Sequence, residues 1–245
     1  MSALRRSKKF HCSSSYSEVI GWFLGLSPYP SPRRRSGTTE GKRSHGESHH
    51  GALDGFIAGP NDGLRSSLGD GGQRLFAWYA GGDTEYGLPG TEMVFNLSSQ
   101  SAELLREVED TMGACVTGRR TFDISGGWGG RPPLGLPTFV VTHTVPQEWV
   151  YAGSPFEFVT DGVESAVRQA KAVAGEKDVA VMAASIVQQC IGAGLLDEIV
   201  VNLVPVLLGD GVRLFEHLGA TPIELQSTGV IEAPGVSHLK FRVVK

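Results

Sequence analysis

Several things that would send a chain of 245 residues toward a particular class of protein are scarce here. The most apolar stretch near the N-terminus, VIGWFLGL at 19–26, has eight residues. No apolar run approaches the roughly 18 residues that a membrane span needs. SPYPSP follows that stretch where a secreted chain would carry a small-residue cleavage site. Three cysteines, Cys12, Cys115 and Cys190, form no CxxC pair. Cys115 and Cys190 lie in apolar runs and read as buried free thiols of a reducing compartment. No group of His, Cys and carboxylates has metal-ligand spacing, and neither G-x-S-x-G nor a Walker P-loop occurs. Basic charge is missing from the body of the chain. Residues 51–245 carry 13 Lys/Arg against 23 acids, whereas residues 1–50 carry nine Lys/Arg against three Glu. An acidic body offers no surface for nucleic acid. Finally, residues 38–51, TTEGKRSHGESHHG, hold no apolar side chain at all.

What is present divides the chain in two. Residues 1–50 are rich in Ser, Arg, His and Pro, show no sustained period, and read as a disordered or weakly ordered extension. Their Arg/Ser-rich, acid-poor composition also suits an organelle transit peptide. From residue 51 to 245 the pattern becomes regular. RLFAWYAG (74–81) reads as a short helix or turn. SAELLREVEDTMG (101–113) puts Ala102, Leu105, Val108 and Met112 at helical spacing after N-cap candidates at Ser98–Ser101. VESAVRQAKAVAG (163–175) and SIVQQCIGAGL (185–195) are further helices. ACVTG (114–118), PTFVVTH (137–143), FEFVT (156–160), DVAVMA (178–183) and DEIVVNLVPVLLG (197–209) read as strands, the last interrupted at Pro205. Strands alternating with helices predict a mostly parallel sheet covered on both faces. IELQSTGVI (223–231) and SHLKFRVVK (237–245) alternate and predict an antiparallel pair at its edge.

Four stretches carry chemistry. In VTGRRTFD (116–123) a strand runs through Gly118 into Arg119, Arg120 and Thr121 at a helix start. Helical N–H groups beside forked guanidinium donors suit a phosphate, for instance the 2′-phosphate of NADPH. An ordinary helix start with surface arginines has the same spacing. In DVAVMAASIVQQ (178–189) small residues between strand and helix suit a pyrophosphate, although tight turns use small residues anyway. In PVLLGDGVRLFE (205–216) Asp210 is either a turn-maker or a ligand-facing carboxylate. ALDGFIAG (52–59) sets Asp54 where a buried strand would end in a turn.

Taken in order, ALDGFIAG, TGRRTFD, VMAASIVQQCIGAGLLDEI and LVPVLLGDGVRLFE resemble the reductase domain of the bifunctional riboflavin-biosynthesis deaminase/reductase and its stand-alone relatives. The resemblance runs from Ala52 to Lys245. It implies a three-layer α/β domain of the dihydrofolate reductase-like fold that binds NADPH, is often a homodimer, and reduces a small molecule by hydride transfer. The best-known substrate is 5-amino-6-(5-phosphoribosylamino)uracil. Carried over residue by residue, it sets Asp54 beside nicotinamide and substrate, in a catalytic, substrate-orienting role. It sets Gly118, Arg119, Arg120 and Thr121 at the adenosine-phosphate end, and Ala183, Ala184 and Ser185 under the pyrophosphate. Gly209, Asp210 and Gly211 fall near cofactor and substrate.

The chain departs from the family pattern twice. The pyrophosphate loop lacks glycine and is one residue shorter, which is expected to weaken cofactor binding because a Cβ restricts positive φ. The apolar strand expected before Asp54 is replaced by polar residues, so the sheet is expected to lack its first strand unless 17–26 supplies it. The resulting expectation is a cytoplasmic NADPH-dependent reductase acting on a small molecule, with no nucleic-acid or membrane partner. The alternative is a non-catalytic or cofactor-impaired dimeric domain of the same fold.

Overall fold

The computed structural model describes residues 44–89, 91 and 93–245. Residues 1–43, including the 17–26 segment and Arg33–Arg35, lie outside the described residues. Eight strands form the main sheet in the order β11-β12-β9-β1-β8-β5-β6-β7. Their ranges are β1 Ser44–Ala52, β5 Met112–Gly118, β6 Thr138–Val141, β7 Phe156–Val159, β8 Asp178–Val181, β9 Glu198–Val204, β11 Leu225–Ala233 and β12 Val236–Val243. The strands from β9 through β7 pair in parallel, and β12 and β11 close one edge antiparallel. Two small antiparallel pairs complete the strands: β2 (Phe56–Ala58) with β10 (Val212–Arg213), and β3 (Thr84–Gly87) with β4 (Val94–Leu97).

Helices cover both faces, as the amphipathic spacing predicts. On one face α1 (Ser99–Thr111) buries Ala102, Leu105 and Val108 beside the aromatic 3-10 turn Gly72–Ala80. Ser98 caps α1 by accepting the Ser101 N–H at 3.2 Å, satisfying one of the donors that a helix start leaves free. The short α2 (Arg119–Ile124) sends Phe122 into this same layer, among the rings of Trp128, Trp149, Phe156 and Phe158. On the other face α3 (Val163–Ala174) packs Ala166, Val167 and Ala170, and α4 (Ala184–Gly192) packs Ile186, Val187 and Cys190, against the sheet. Cys115 and Cys190 are buried free thiols, and burial pushes the Cys190 thiol up to about 12. The result is the three-layer dihydrofolate reductase-like architecture, mostly parallel, with its antiparallel strands at the C-terminus.

One expectation is corrected. The polar stretch before Asp54 does not leave the sheet without its first strand, because Ser44–Ala52 is that strand, β1, near the sheet's centre. It runs parallel to β8 on one side and β9 on the other, with His50 opposite Asn202 and Ala52 opposite Val204. Regular structure therefore begins by Ser44, and a boundary drawn between residues 50 and 51 cuts through β1. A strand covered on both faces normally reads as a run of Val, Ile and Leu. Here successive side chains point to opposite faces, and the buried positions include His49 and His50. Burial lowers their pKa values to about 4 and about 3, the second also through the charges of His238 and His49, so both rings are neutral at physiological pH. A neutral imidazole packs as an aromatic ring. That of His50 lies 4.4 Å from Phe76, 5.5 Å from Trp78 and 5.6 Å from Tyr79 between centroids. Across the sheet, Asn202 of β9 bridges toward His50 at 3.4 Å and to His238 Nδ1 of β12 at 2.6 Å. The other nitrogen of His238 lies 2.9 Å from Ser101 Oγ of α1. Burial lowers the pKa of His238 to about 4. This polar chain satisfies groups that would otherwise be costly in the core.

Candidate functional site

In open α/β sheets ligands collect at the carboxyl ends of the strands, where the chain order doubles back. Here β5 leads outward to β6 and β7, whereas β8 returns to lie between β5 and β1. At that reversal lies a cleft of about 200 Å³. Arg120 and Thr121 of α2 line it on one side, and Ala183, Ala184 and Ser185 at the start of α4 on the other. His49 of β1 and Asp62, in the loop after β2, also face it. A shallower depression of about 550 Å³ lies between the β6–β7 edge and α3, and none of the residues expected at the site lines it.

The wall formed by α4 is an uncapped helix start. Ala183 occupies the N-cap position with φ 79° and ψ 132°, and no side chain caps the first turn. The leading N–H groups of a helix lack intrahelical partners and carry partial positive charge. Ala183 thus holds a backbone conformation that favours glycine. Gly118 explains how α4 comes so close to the end of β5. A Cβ there would stand 3.2 Å from Ile186 Cγ1 and 3.5 Å from Ser185 Oγ, so a larger residue would require the Ile186 side chain to give way by a few tenths of an ångström.

The two arginines differ. Arg119 donates through Nε to Asp123 Oδ1 at 2.7 Å and through Nη1 to the Thr144 carbonyl at 2.8 Å, beyond the end of β6. Arg120 points to the cleft, and its fork grips Asp62: Nη1 to Oδ2 at 2.7 Å, Nη2 to Oδ1 at 3.0 Å, and Nη2 to the Asp62 carbonyl at 3.0 Å. The helix they open has only six residues. The positive character on this side therefore comes from side chains more than from a helix terminus.

Asp54 and the Gly209–Gly211 loop form a second cluster outside the cleft's lining. Asp54 Oδ2 accepts the Gly209 N–H at 2.7 Å, and Arg213 donates to the Asp54 carbonyl at 3.2 Å with its guanidinium 4.3 Å over the Phe56 ring. The Gly209 N–H is the main cause that holds the Asp54 carboxyl below its ordinary range, with smaller help from the Leu208 and Asp54 N–H groups and Arg213, against partial desolvation. The Asp210 carboxylate accepts the N–H of Gly211 at 2.7 Å, which is turn-making geometry. Gly211 has φ +137° and lies against β2 so closely that an added Cβ would stand 2.0 Å from the Ala58 carbonyl oxygen. The β2–β10 ribbon joins the two clusters. Val212 opposite Ala58 borders the cleft, and Arg213 opposite Phe56 borders the Asp54 turn.

Sequence spacing did not reveal His49, Asp62 or Gln188 as neighbours of this cleft. His49 sat in a stretch without apolar neighbours. Asp62 sat in GPNDG, whose signal is a turn. Gln188 lines the cleft from α4 and donates to the Leu214 carbonyl at 3.0 Å, tying α4 to the segment after β10.

No protein-family model matches the chain, and no curated protein matches it. Solved structures do share its fold. One is a protein from Shewanella sp. PV-4 assigned to riboflavin biosynthesis, with a TM-score of 0.56 and 20% identity over 80% of this chain and 96% of that one. Another is the diaminohydroxyphosphoribosylaminopyrimidine deaminase/5-amino-6-(5-phosphoribosylamino)uracil reductase of Thermotoga maritima, with a TM-score of 0.53 and 12% identity. The match covers 83% of this chain and 57% of that longer one. The fold is thus that of the riboflavin-pathway reductases to which the four motifs bear resemblance. Among the described residues no helix is long and apolar enough to cross a membrane.

Proposed function

We propose that the chain is an NADPH-dependent oxidoreductase acting on a small molecule, in the manner of 5-amino-6-(5-phosphoribosylamino)uracil reductase. The observation that carries this reading is the cleft, which joins Arg120 and Thr121 to the start of α4, two motifs about sixty residues apart. Its donors fit a nucleotide phosphate: the first N–H groups of α4 without a side-chain cap, a guanidinium fork and the Thr121 hydroxyl. NADPH, when bound, supplies the hydride. The chain's own part is to hold and orient. The first turn of α4 binds phosphate, with Arg120 and Thr121 completing its donors. Arg119, braced by Asp123, extends the positive surface toward the end of β6. Asp54 stays ionised and fixes the 207–211 loop through Gly209, and so shapes the substrate side as a positioning group. We further propose a homodimer in the cytoplasm, which sedimentation of the purified chain and fractionation of its cells would test.

Titration calorimetry with NADPH and NADH tests the cofactor assignment. Binding of NADPH, followed by oxidation of the reduced nicotinamide with a ribosylamine acceptor, is the expected result. Absence of binding to a folded protein would sink the reading. The second reading, a cofactor-impaired domain, draws on the Cβ of Ala183 at positive φ beside the phosphate position. It is supported if only a glycine-restored loop binds NADPH.

A further inference from the structure

Arg120 and Asp62 are 58 residues apart and meet at the cleft. The contact is a fork-to-carboxylate pair with both carboxylate oxygens engaged and the Asp62 carbonyl as a third acceptor. The guanidinium edge used is the kind of edge that phosphate oxygens take, since carboxylate and phosphate present similar paired acceptors. A ligand phosphate and Asp62 therefore compete for the same donors. We infer that Asp62 is a specificity-determining residue of this cleft: it holds Arg120 as an internal stand-in for phosphate and must yield the fork before a phosphate-bearing nucleotide binds there. The inference rests on the cofactor reading above.

The two partners are unequal in a way that defines how the exchange proceeds. The Asp62 side chain is 15% exposed and that of Arg120 is 61% exposed. Asp62 sits on a loop braced at both ends. Gly59 N–H bonds to the Leu68 carbonyl at 2.9 Å, Asp70 N–H to the Pro60 carbonyl at 2.8 Å, and the Asn61 amide to the Asp70 carboxylate at 2.6 Å. Arg120 is long, mostly exposed and free to swing. In the exchange the guanidinium moves toward the ligand and the carboxylate stays. Glu216 also lines the cleft, so an incoming phosphate meets two carboxylates and one guanidinium unless Asp62 is neutralised. Affinity for phosphate is thus held down by design of the cleft, and Asp62 is the residue that holds it down.

Calorimetry on the full chain with NADPH, and separately with inorganic pyrophosphate, tests this in the wild type, Asp62→Asn, Asp62→Ser, Arg120→Ala and the Asp62→Asn/Arg120→Ala double variant. Both Asp62 variants should bind each probe roughly twofold to fivefold more tightly, the range expected for releasing one partly exposed ion pair. Arg120→Ala should bind more weakly, and Asp62→Asn should give a smaller gain on the Arg120→Ala background than on the wild type, because relief of the carboxylate's repulsion persists there while the freed fork is missing. Circular dichroism melts confirm that each variant folds, and Asp62→Ser leaves the Asn61–Asp70 brace intact. If the Asp62 variants bind no more tightly while Arg120→Ala weakens binding, the competition is refuted and the cofactor reading stands. If Arg120→Ala changes nothing, the fork is not a phosphate donor and the inference falls. If neither the wild type nor any variant binds NADPH, the cofactor reading falls and takes the inference with it.

Discussion

Replacing Ala183 with glycine should stabilise the protein, against the usual direction of an Ala→Gly change. Ala183 has φ 79° and ψ 132°, a backbone region that L side chains rarely adopt. Holding a non-glycine residue in so sparsely populated a region costs of order 1–3 kcal/mol. Glycine relieves that cost, and its greater freedom in the unfolded chain gives back about 0.4–1 kcal/mol. Losing one half-buried methyl subtracts up to about 0.8 kcal/mol more. The balance is a gain of about 1 kcal/mol, which for a domain of this size raises Tm by roughly 2–4 °C. Ala184, one residue on, provides the control. It is the first residue of α4 and buried at 8% exposure. Ala184→Gly loses a buried methyl and helix propensity, and should destabilise by about 1–1.5 kcal/mol. Urea unfolding followed by tryptophan fluorescence measures both, with unchanged m-values showing that the midpoints report stability. Opposite signs are the expected outcome. If Ala183→Gly destabilises as much as Ala184→Gly, the strain argument at residue 183 is wrong. Where the gain appears, NADPH binding by the same variant should tighten, because the backbone at the helix start becomes more accessible.

Further outcomes follow from the same geometry. His49, His50 and His238 have folded pKa values lowered to about 4, 3 and 4 from 6.5, so they are neutral when folded and gain protons on unfolding in acid. Stability should be fully present above about pH 6.5 and fall below it by up to roughly 4 kcal/mol per pH unit for the three together; equal urea midpoints at pH 7 and pH 5 would contradict this. Gly211→Ala would place a Cβ 2.0 Å from the Ala58 carbonyl oxygen at φ +137°. It should cost about 3 kcal/mol, seen as a Tm drop of roughly 6–12 °C, and an unchanged melt would show that the loop does not lie against β2. Replacing Arg119 and Arg120 together with Ala should weaken both cofactors, because Arg120 faces the phosphate position at the start of α4 that both would occupy, but should cost NADPH about 1.5–3 kcal/mol more than NADH for the charge-assisted bond lost to the 2′-phosphate. Equal losses for both cofactors, measured by calorimetry, would remove these arginines from the 2′-phosphate.

The elements legible from residues alone are those whose period is local. The stripe Ala102, Leu105, Val108 and Met112 marked α1, and Val163, Ala166, Val167 and Ala170 marked α3, because helical spacing brings near neighbours in sequence to one face. The apolar runs of β5, β8 and β9 and the alternation of β11 and β12 were legible for the same reason, and the four motifs carried the fold they resemble. Three features depended on contacts between distant residues. β1 is a strand because β8 and β9 pair with its backbone on both sides and because aromatic rings take in a neutral His50, conditions that no window around HGESHHG contains. Asp54 meets Gly209 across 155 residues, and Arg120 meets Asp62 across 58. A sequence shows which side chains can form such bonds; only the sheet order decides which acceptor reaches the donor first, and so whether a guanidinium faces a ligand or a carboxylate of its own chain.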